Sequence, residues 1–493
     1  MPSFLVQGLP QMKAAIANQV ILLGGHIDTS LDNLASLADI TLLVVNMPPS
    51  ANEMEHGGLA RKALLAIPGV YIVEDETYLC FHTLGPANLF PGHNWLPTFP
   101  IALPQPNDGA AVLLQLLPPE VSRLLPPHEL LSIAMGYGLP KPSMVNLHEQ
   151  PFGVPGLLLG PAVSSVPGVD QDLRAMLENI QIPQAQALNL GEGAIVGVID
   201  SGINGMWVSP SQRVAGWSED GDDPWADPLG HGSMVAGILM AAAPKAGVIS
   251  CKVSTSFSGG MSSIGIYKAI DFLTGQAIGL NRPIICQHSW GVPSPHNLLS
   301  PCSTLMNRAH RLLDERNLML SSWAAGNNRG THTIGQISNH CANSCRWAIS
   351  AGALDRNLRP QFYSSQGGQC YPFHPSISAT TFGVLPWGSG WMDLGEKGGA
   401  TSSCCPQTSA TLAMMMTAYP NREFAEYRAA LRGSARNDLL GILSFYDPAT
   451  GSGLIQADRA IELVPKAKEH PWYAIEKATP TSVARLGEEP ERG

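Results

Sequence analysis

Ala194-Ile195-Val196-Gly197-Val198-Ile199, closed by Asp200-Ser201-Gly202, decides how the chain is read. Six apolar residues without alternation predict a strand covered on both faces, the habit of a parallel sheet. The pattern recurs downstream. Residues 248–253, 283–286, 318–323 and 347–351 read as strands, and 234–243, 262–274, 304–315 and 409–418 as the helices among them. This alternation predicts an α/β fold with a doubly wound, mainly parallel sheet. Such sheets bind ligands beyond the carboxyl ends of their strands, so polar residues at those ends matter most.

Composition narrows the function classes. The 493 residues are 44% hydrophobic and 14% charged, which suits a globular chain with a sizeable core. The net charge is −10 with only 29 Lys and Arg and no basic cluster, which argues against a nucleic-acid partner. No apolar run reaches the roughly 18 residues of a membrane span. The start, Met1-Pro2-Ser3-Phe4-Leu5-Val6-Gln7, lacks the charged region of a secretory signal. Nine cysteines, two of them adjacent at Cys404-Cys405, do not read as a disulfide framework. A reducing, cytoplasmic location is expected.

Upstream of the α/β region two other textures appear. Residues 1–80 alternate strand and helix: 3–7, a strand near His26, 40–45 and 70–73 as strands, 10–23 and 51–65 as helices. Two helices on a small sheet predict an α+β domain of ferredoxin-like type. Residues 81–177 are Pro-rich yet apolar, an extended connector packed on something rather than a solvated linker. The catalytic region is expected over 178–465, and 466–493 reads as a solvated polar tail.

Four segments place chemistry at strand ends or helix starts. Asp200 ends the first strand, as a cap or a functional anion. His231 opens a helix between Gly230 and Gly232, which leave room for another backbone to approach. Asn327, in Ala324-Ala325-Gly326-Asn327, follows a strand and is by itself an ordinary turn former. Ser402, in Gly398-Gly399-Ala400-Thr401-Ser402-Ser403-Cys404-Cys405-Pro406, lies near a helix start, where a serine is commonly only a cap. Together they match what acyl transfer requires. A hydroxyl needs a base, the base needs a buried carboxylate to orient it, and the oxyanion needs donors.

On these residues the chain resembles the subtilisin-like serine proteases, the subtilase family. Ile199-Asp200-Ser201-Gly202-Ile203 is similar to the aspartate motif, with Ser where Thr is common. Gly230-His231-Gly232-Ser233-Met234-Val235-Ala236-Gly237 resembles the histidine motif and departs from it at Ser233 and Met234. The serine motif keeps Thr401, Ser402 and Pro406, while Ala400, Ser403 and Cys404 depart. The closing Gly451-Ser452-Gly453-Leu454-Ile455-Gln456-Ala457 also resembles a family segment. The resemblance implies an Asp200–His231–Ser402 triad with Asn327 at the oxyanion, acting on a peptide or protein substrate without a cofactor.

It further implies that peptides bind as an added strand between Ser258-Gly259-Gly260 and Ser289-Trp290-Gly291, with Ala325 and Gly326 beside them. Trp290, where the family often has Leu, would stand in the wall of two specificity pockets. Residues 67–76 resemble the last strand of a subtilase inhibitory propeptide, making residues 1–80 a candidate intramolecular inhibitor. Structural calcium is common in the family, though no stretch compels it. Cys341, Cys345, Cys370 and His374 carry ligand types suited to zinc, or stand as a disulfide or free thiols. Cys404 and Cys405 read either as small buried hydrophobes or as reactive thiols. Two rival readings share the scaffold: a non-catalytic peptide-binding or regulatory protein, and an acyl transferase or ligase.

Overall fold

The computed structural model describes residues 3–47, 60–75, 78–81, 144–145, 171–253, 261–291, 305–327, 329, 344–368, 371, 373–437 and 446–478. The large sheet has seven strands, in the order Ile377–Thr380, Ala348–Leu354, Met319–Ala324, Ile284–His288, Ile195–Asp200, Gly247–Lys252 and Arg213–Ser218. Every neighbouring pair is parallel. The unalternated run at 194–199 is explained by burial on both sides. Val196 and Val198 join the core under the helices His231–Ala242 and Thr401–Ala418, while Ile195 and Ile199 join the core under Ser263–Leu280. All twelve residues of His231–Ala242 are buried, so this helix lies inside the domain and has no polar face to show.

The expected N-terminal α+β domain is present over the described residues. Its four antiparallel strands run in the order His26–Ser30, Thr41–Asn46, Ser3–Gly8 and Val70–Asp75. Phe4, Val6, Leu43 and Val45 cover the helix Lys13–Leu22 and helical residues 60–65. Residues 51–59 of the expected second helix lie outside the described residues. Leu5, Leu42 and Val44 share a core with Tyr267, Ile270 and Leu313 of the large domain. A helix not anticipated from sequence, Asp32–Ala38, makes the junction. Its Leu34 N–H and Asn33 amide donate to the Asp271 carboxylate at 2.8 and 3.0 Å.

Two expected boundaries move. The helix Gln171–Asn179 packs Leu173, Met176 and Leu177 into the large core, so a cut at 178 would bisect an element of that domain. The expected tail from 466 is structured as far as 478: a 3₁₀ segment Val464–Glu469 leads into the helix Pro471–Lys477. Its charges look solvated in sequence, but Trp472 is buried against Phe373 and Arg432, and Glu476 is buried with arginine partners. Of the Pro-rich connector upstream of Gln171–Asn179, only Phe81, at the end of the short strand Tyr78–Phe81, and the short strand Met144–Val145 are described. Tyr78–Phe81 is discussed below, and Met144–Val145 pairs with Gly390–Asp393. Among the described residues no helix is long and apolar enough to cross a membrane.

Arg428 is the centre of the buried ion cluster that anchors the last helix. It donates through both terminal nitrogens to Asp314 and through Nε to Glu476 at 2.7 Å, and all three residues are nearly or fully buried. Replacing Arg428 with Met leaves two carboxylates facing each other away from water, which should destabilise the fold by about 3–5 kcal/mol. Urea denaturation of wild type and Arg428→Met checks this.

Candidate active site

The three central strands of the sheet end at one edge and deliver two of the four expected catalytic residues there, Asp200 and Asn327, together with Ser289. Asp200 closes Ile195–Asp200, Ser289 follows Ile284–His288, and Asn327 comes three residues after Met319–Ala324. Two helices begin over the same edge and pack on each other, with His231 the first residue of one and Ser402 the second of the other.

Asp200 and His231 meet directly. Nδ1 of the imidazole lies 2.7 Å from Asp200 Oδ1, and both residues are buried. The same oxygen accepts the Ser201 N–H at 2.8 Å. With Nδ1 donating to a carboxylate, Nε2 is left as the basic nitrogen of a neutral ring. The glycines flanking His231 serve the predicted purpose. A Cβ on Gly232 would sit 1.9 Å from the Gly202 carbonyl oxygen, and Gly230 holds φ +84° with the Trp387 ring against it.

Ser402 is held by a reciprocal pair. Its Oγ donates to the Ser289 carbonyl at 2.9 Å, and Ser289 Oγ donates to the Ser402 carbonyl at 2.9 Å. Pro406 explains the second bond. It has no N–H, so the carbonyl four residues back receives no helical hydrogen bond, and Ser289 supplies one.

Asn327 is oriented by Thr401. Its Oδ1 accepts the Thr401 N–H at 3.2 Å and the Thr401 hydroxyl at 2.9 Å. A backbone N–H can only donate, so the amide oxygen must lie on this side and the NH₂ group on the other. Thr401 Oγ also accepts the Gly326 N–H at 3.2 Å, and Gly326 takes φ +105° to make the turn. Ala325 donates its N–H to Ala351 and is buried.

A strand of the chain itself lies along Trp290–Gly291, one of the two segments expected to bind peptide. Tyr78–Phe81 pairs antiparallel with Trp290–Gly291 on one side and with Met261–Ser262 on the other. Ser258, Gly259 and Gly260 lie outside the described residues. The Trp290 backbone pairs with Tyr78–Phe81, and its indole turns inward rather than into the wall of a pocket. Nε1 donates to the Ile199 carbonyl at 3.0 Å, and the ring packs edge-on to His288 and Trp323.

Several other expectations resolve. Cys404 and Cys405 are buried, and burial pushes the Cys405 thiol up to about 12, so neither has the character of a reactive thiolate. His374 donates from Nε2 to the Cys345 carbonyl at 2.9 Å and accepts from the Ser350 hydroxyl at 2.8 Å on Nδ1, so neither ring nitrogen is available to zinc. Cys345 is buried, and Cys341 and Cys370 lie outside the described residues. Asp227 escaped the sequence reading. It accepts five hydrogen bonds around the start of the histidine helix, against which the removal of its carboxyl from water pushes it up. An acidic residue four places ahead of a Gly-His-Gly helix start was the available signal.

These features define an α/β protein of the subtilisin-like class. The family model described as the Subtilase family, Peptidase_S8, matches residues 191–455, more than half of the chain, and the chain belongs to that family. Subtilisin DY of Bacillus licheniformis is 24% identical over 290 residues, covering 57% of this chain and 94% of that protein. The crystal structure of fervidolysin from Fervidobacterium pennivorans, a keratinolytic enzyme related to subtilisin, is similar with a TM-score of 0.56 at 16% identity. That likeness takes in 94% of this chain, which spans 61% of the fervidolysin chain. Membership places the protein among the serine peptidases.

Beneath the Ser289 edge, His288 stacks on Trp323 at 4.1 Å and meets His310 edge-on. Among the described residues neither His288 nitrogen has a hydrogen-bond partner. Burial holds His288 well below the usual histidine range, pushes His310 down to about 3, and lowers His374 as well. These rings stay neutral in the fold, while the unfolded chain takes up protons below roughly pH 6.5. Their stabilisation is therefore full above that pH and is lost as pH falls from there toward the folded values. Each ring should remove about 1.4 kcal/mol per pH unit. Urea midpoints from about pH 7.5 down to about pH 5 should fall less steeply in His288→Met than in wild type.

Proposed function

We propose that the protein is a serine endopeptidase that hydrolyses peptide bonds through an acyl-enzyme. Ser402 attacks the carbonyl carbon. His231 takes the hydroxyl proton on Nε2 and returns it to the leaving amine. Asp200 fixes the tautomer and stabilises the imidazolium. The Asn327 NH₂ group and the Ser402 N–H, in the outward-pointing first turn of its helix, receive the oxyanion. Water then repeats the sequence on the ester, releasing the acid product and restoring the hydroxyl. The observation that carries this reading is the buried 2.7 Å contact of His231 with Asp200 at the edge where Ser402 begins its helix. No cofactor enters the chemistry.

The strand Tyr78–Phe81 supports a latent resting form. Substrate peptide would pair with the same backbone at Trp290–Gly291 and Met261–Ser262, so residues 1–81 act as an intramolecular inhibitor until the chain is cut beyond Phe81. The buried thiols of Cys251, Cys286, Cys404 and Cys405 support a reducing cytoplasmic setting.

A fluorophosphonate probe should label Ser402, and Ser402→Ala should abolish both labelling and turnover, by about 10⁶-fold in kcat as in subtilisin itself. Absence of wild-type labelling after removal of the N-terminal part would favour a non-catalytic peptide-binding protein. Amide products formed with an added amine, in place of acids, would favour acyl transfer. Asn327→Ala should lower kcat by roughly 10²–10³, the range found for the subtilisin oxyanion amide, with KM little changed. N-terminal sequencing of matured wild type should find a start beyond Phe81, with Ser402→Ala remaining intact; an uncut wild type with full activity would overturn the inhibitor reading.

A further inference from the structure

Two places where the motifs carry an unexpected serine, Ser201 and Ser233, turn out to share one partner. We propose that Asp227 is a positioning residue for the Asp200–His231 pair, acting through the hydroxyls of Ser201 and Ser233. This rests on the triad reading above. Asp227 is half-buried, with its carboxylate turned toward the start of the histidine helix. Oδ1 accepts from Ser201 Oγ at 2.8 Å and from the N–H groups of Leu229 and Gly230 at 3.1 and 2.8 Å. Oδ2 accepts from Ser233 N–H at 2.8 Å and Ser233 Oγ at 2.6 Å. One carboxylate thus joins the loop after Asp200 to the helix that begins with His231. Asn204 adds a second tie, its N–H donating to Ser233 Oγ at 2.9 Å.

The proton of Ser201 is what Asp227 controls. That hydroxyl has one hydrogen and two carboxylates within reach, Asp227 Oδ1 at 2.8 Å and Asp200 Oδ1 at 3.3 Å. Its lone pair is taken up by the Gly232 N–H at 3.0 Å. The shorter contact holds the proton, and Asp200 Oδ1 is left with the Ser201 N–H and the imidazole. Without the Asp227 charge the hydroxyl would swing to Asp200 and become a third donor at the oxygen that orients His231. The imidazole bond would then lengthen or tilt, and the base would be misplaced relative to Ser402.

The test compares Asp227→Asn, Ser201→Ala and the conservative Ser201→Thr in the full chain, matured as the wild type is. Fluorophosphonate labelling rates should fall by roughly 10- to 100-fold in the first two. Ser201→Thr should bring the rate back to within about threefold of wild type, since it keeps the hydroxyl. For peptide hydrolysis the loss should fall on kcat with KM nearly unchanged, and the acidic limb of the pH–rate profile should move. Proton NMR of the His231 Nδ1–H, displaced downfield by its short bond to Asp200, should show that resonance shifted in Asp227→Asn and Ser201→Ala but kept in Ser201→Thr. Folded variants with wild-type labelling rates and an unmoved resonance would overturn the proposal. If Asp227→Asn fails to fold, Ser201→Ala, which lacks one hydroxyl, carries the test. A wild type that never labels would sink the peptidase reading instead, and the resonance would still decide the role of Asp227.

Discussion

Parallel register is the constraint on which the candidate catalytic edge depends. His288 stands level with Ile199 on one side and with Trp323 on the other, so three neighbouring strands run out together. A slip of one residue would turn Asp200 to the opposite face and carry Ser289 away from Ser402. Apolar burial on both faces opposes such a slip, because Val196 and Val198 fill one core and Ile195 and Ile199 the other. The Trp290 indole adds a cross-link within the edge, joining the strand bearing Ser289 to the backbone just before Asp200.

The polar groups at this edge are satisfied by exchange between loops rather than within elements. The helix begun by His231 has its second and third N–H groups received by Ser201 and Asp227, and Asn327 is turned by a threonine on a different helix. Each bond therefore does two things: it satisfies a group that would otherwise be stranded, and it sets the distance between two motifs. Motifs scattered through the sequence are held together by these exchanges. His288 below is an exception, a polar ring stacked on Trp323 in an apolar box at the expense of acid stability.

Much of this was legible in the residues. Periodicity revealed the strand through Ile195–Asp200 and its successors, because double-sided burial leaves an unbroken apolar run. The four catalytic candidates were legible only as a set, Asp200 and Asn327 at strand ends and His231 and Ser402 at helix starts. Arg213–Ser218 was not, since its alternating exposure on the sheet margin imitates a loop. The hairpin Val384–Trp387 with Gly390–Asp393 was hidden by Pro386 and by the glycines of its turn. Pro471–Lys477 was misread because its charged residues suggest water, whereas tertiary arginines take Glu476 into the interior. Asp227 was missed because its tie to Ser201 reaches into another loop, and an acidic residue four places ahead of a helix start is a weak signal by itself.

A proline in the helix that begins with Thr401 and Ser402, the proposed nucleophile, has a mechanical consequence. By removing one rung of the ladder, Pro406 hands the Ser402 carbonyl to Ser289, and the Ser402 hydroxyl answers with a bond in the other direction. The first turn of that helix is stapled to the strand on which incoming chain would be laid, at the very spot where its own regular bonding is weakest. Displacement of that strand is thus felt at the Ser402 hydroxyl without passing through the rest of the helix.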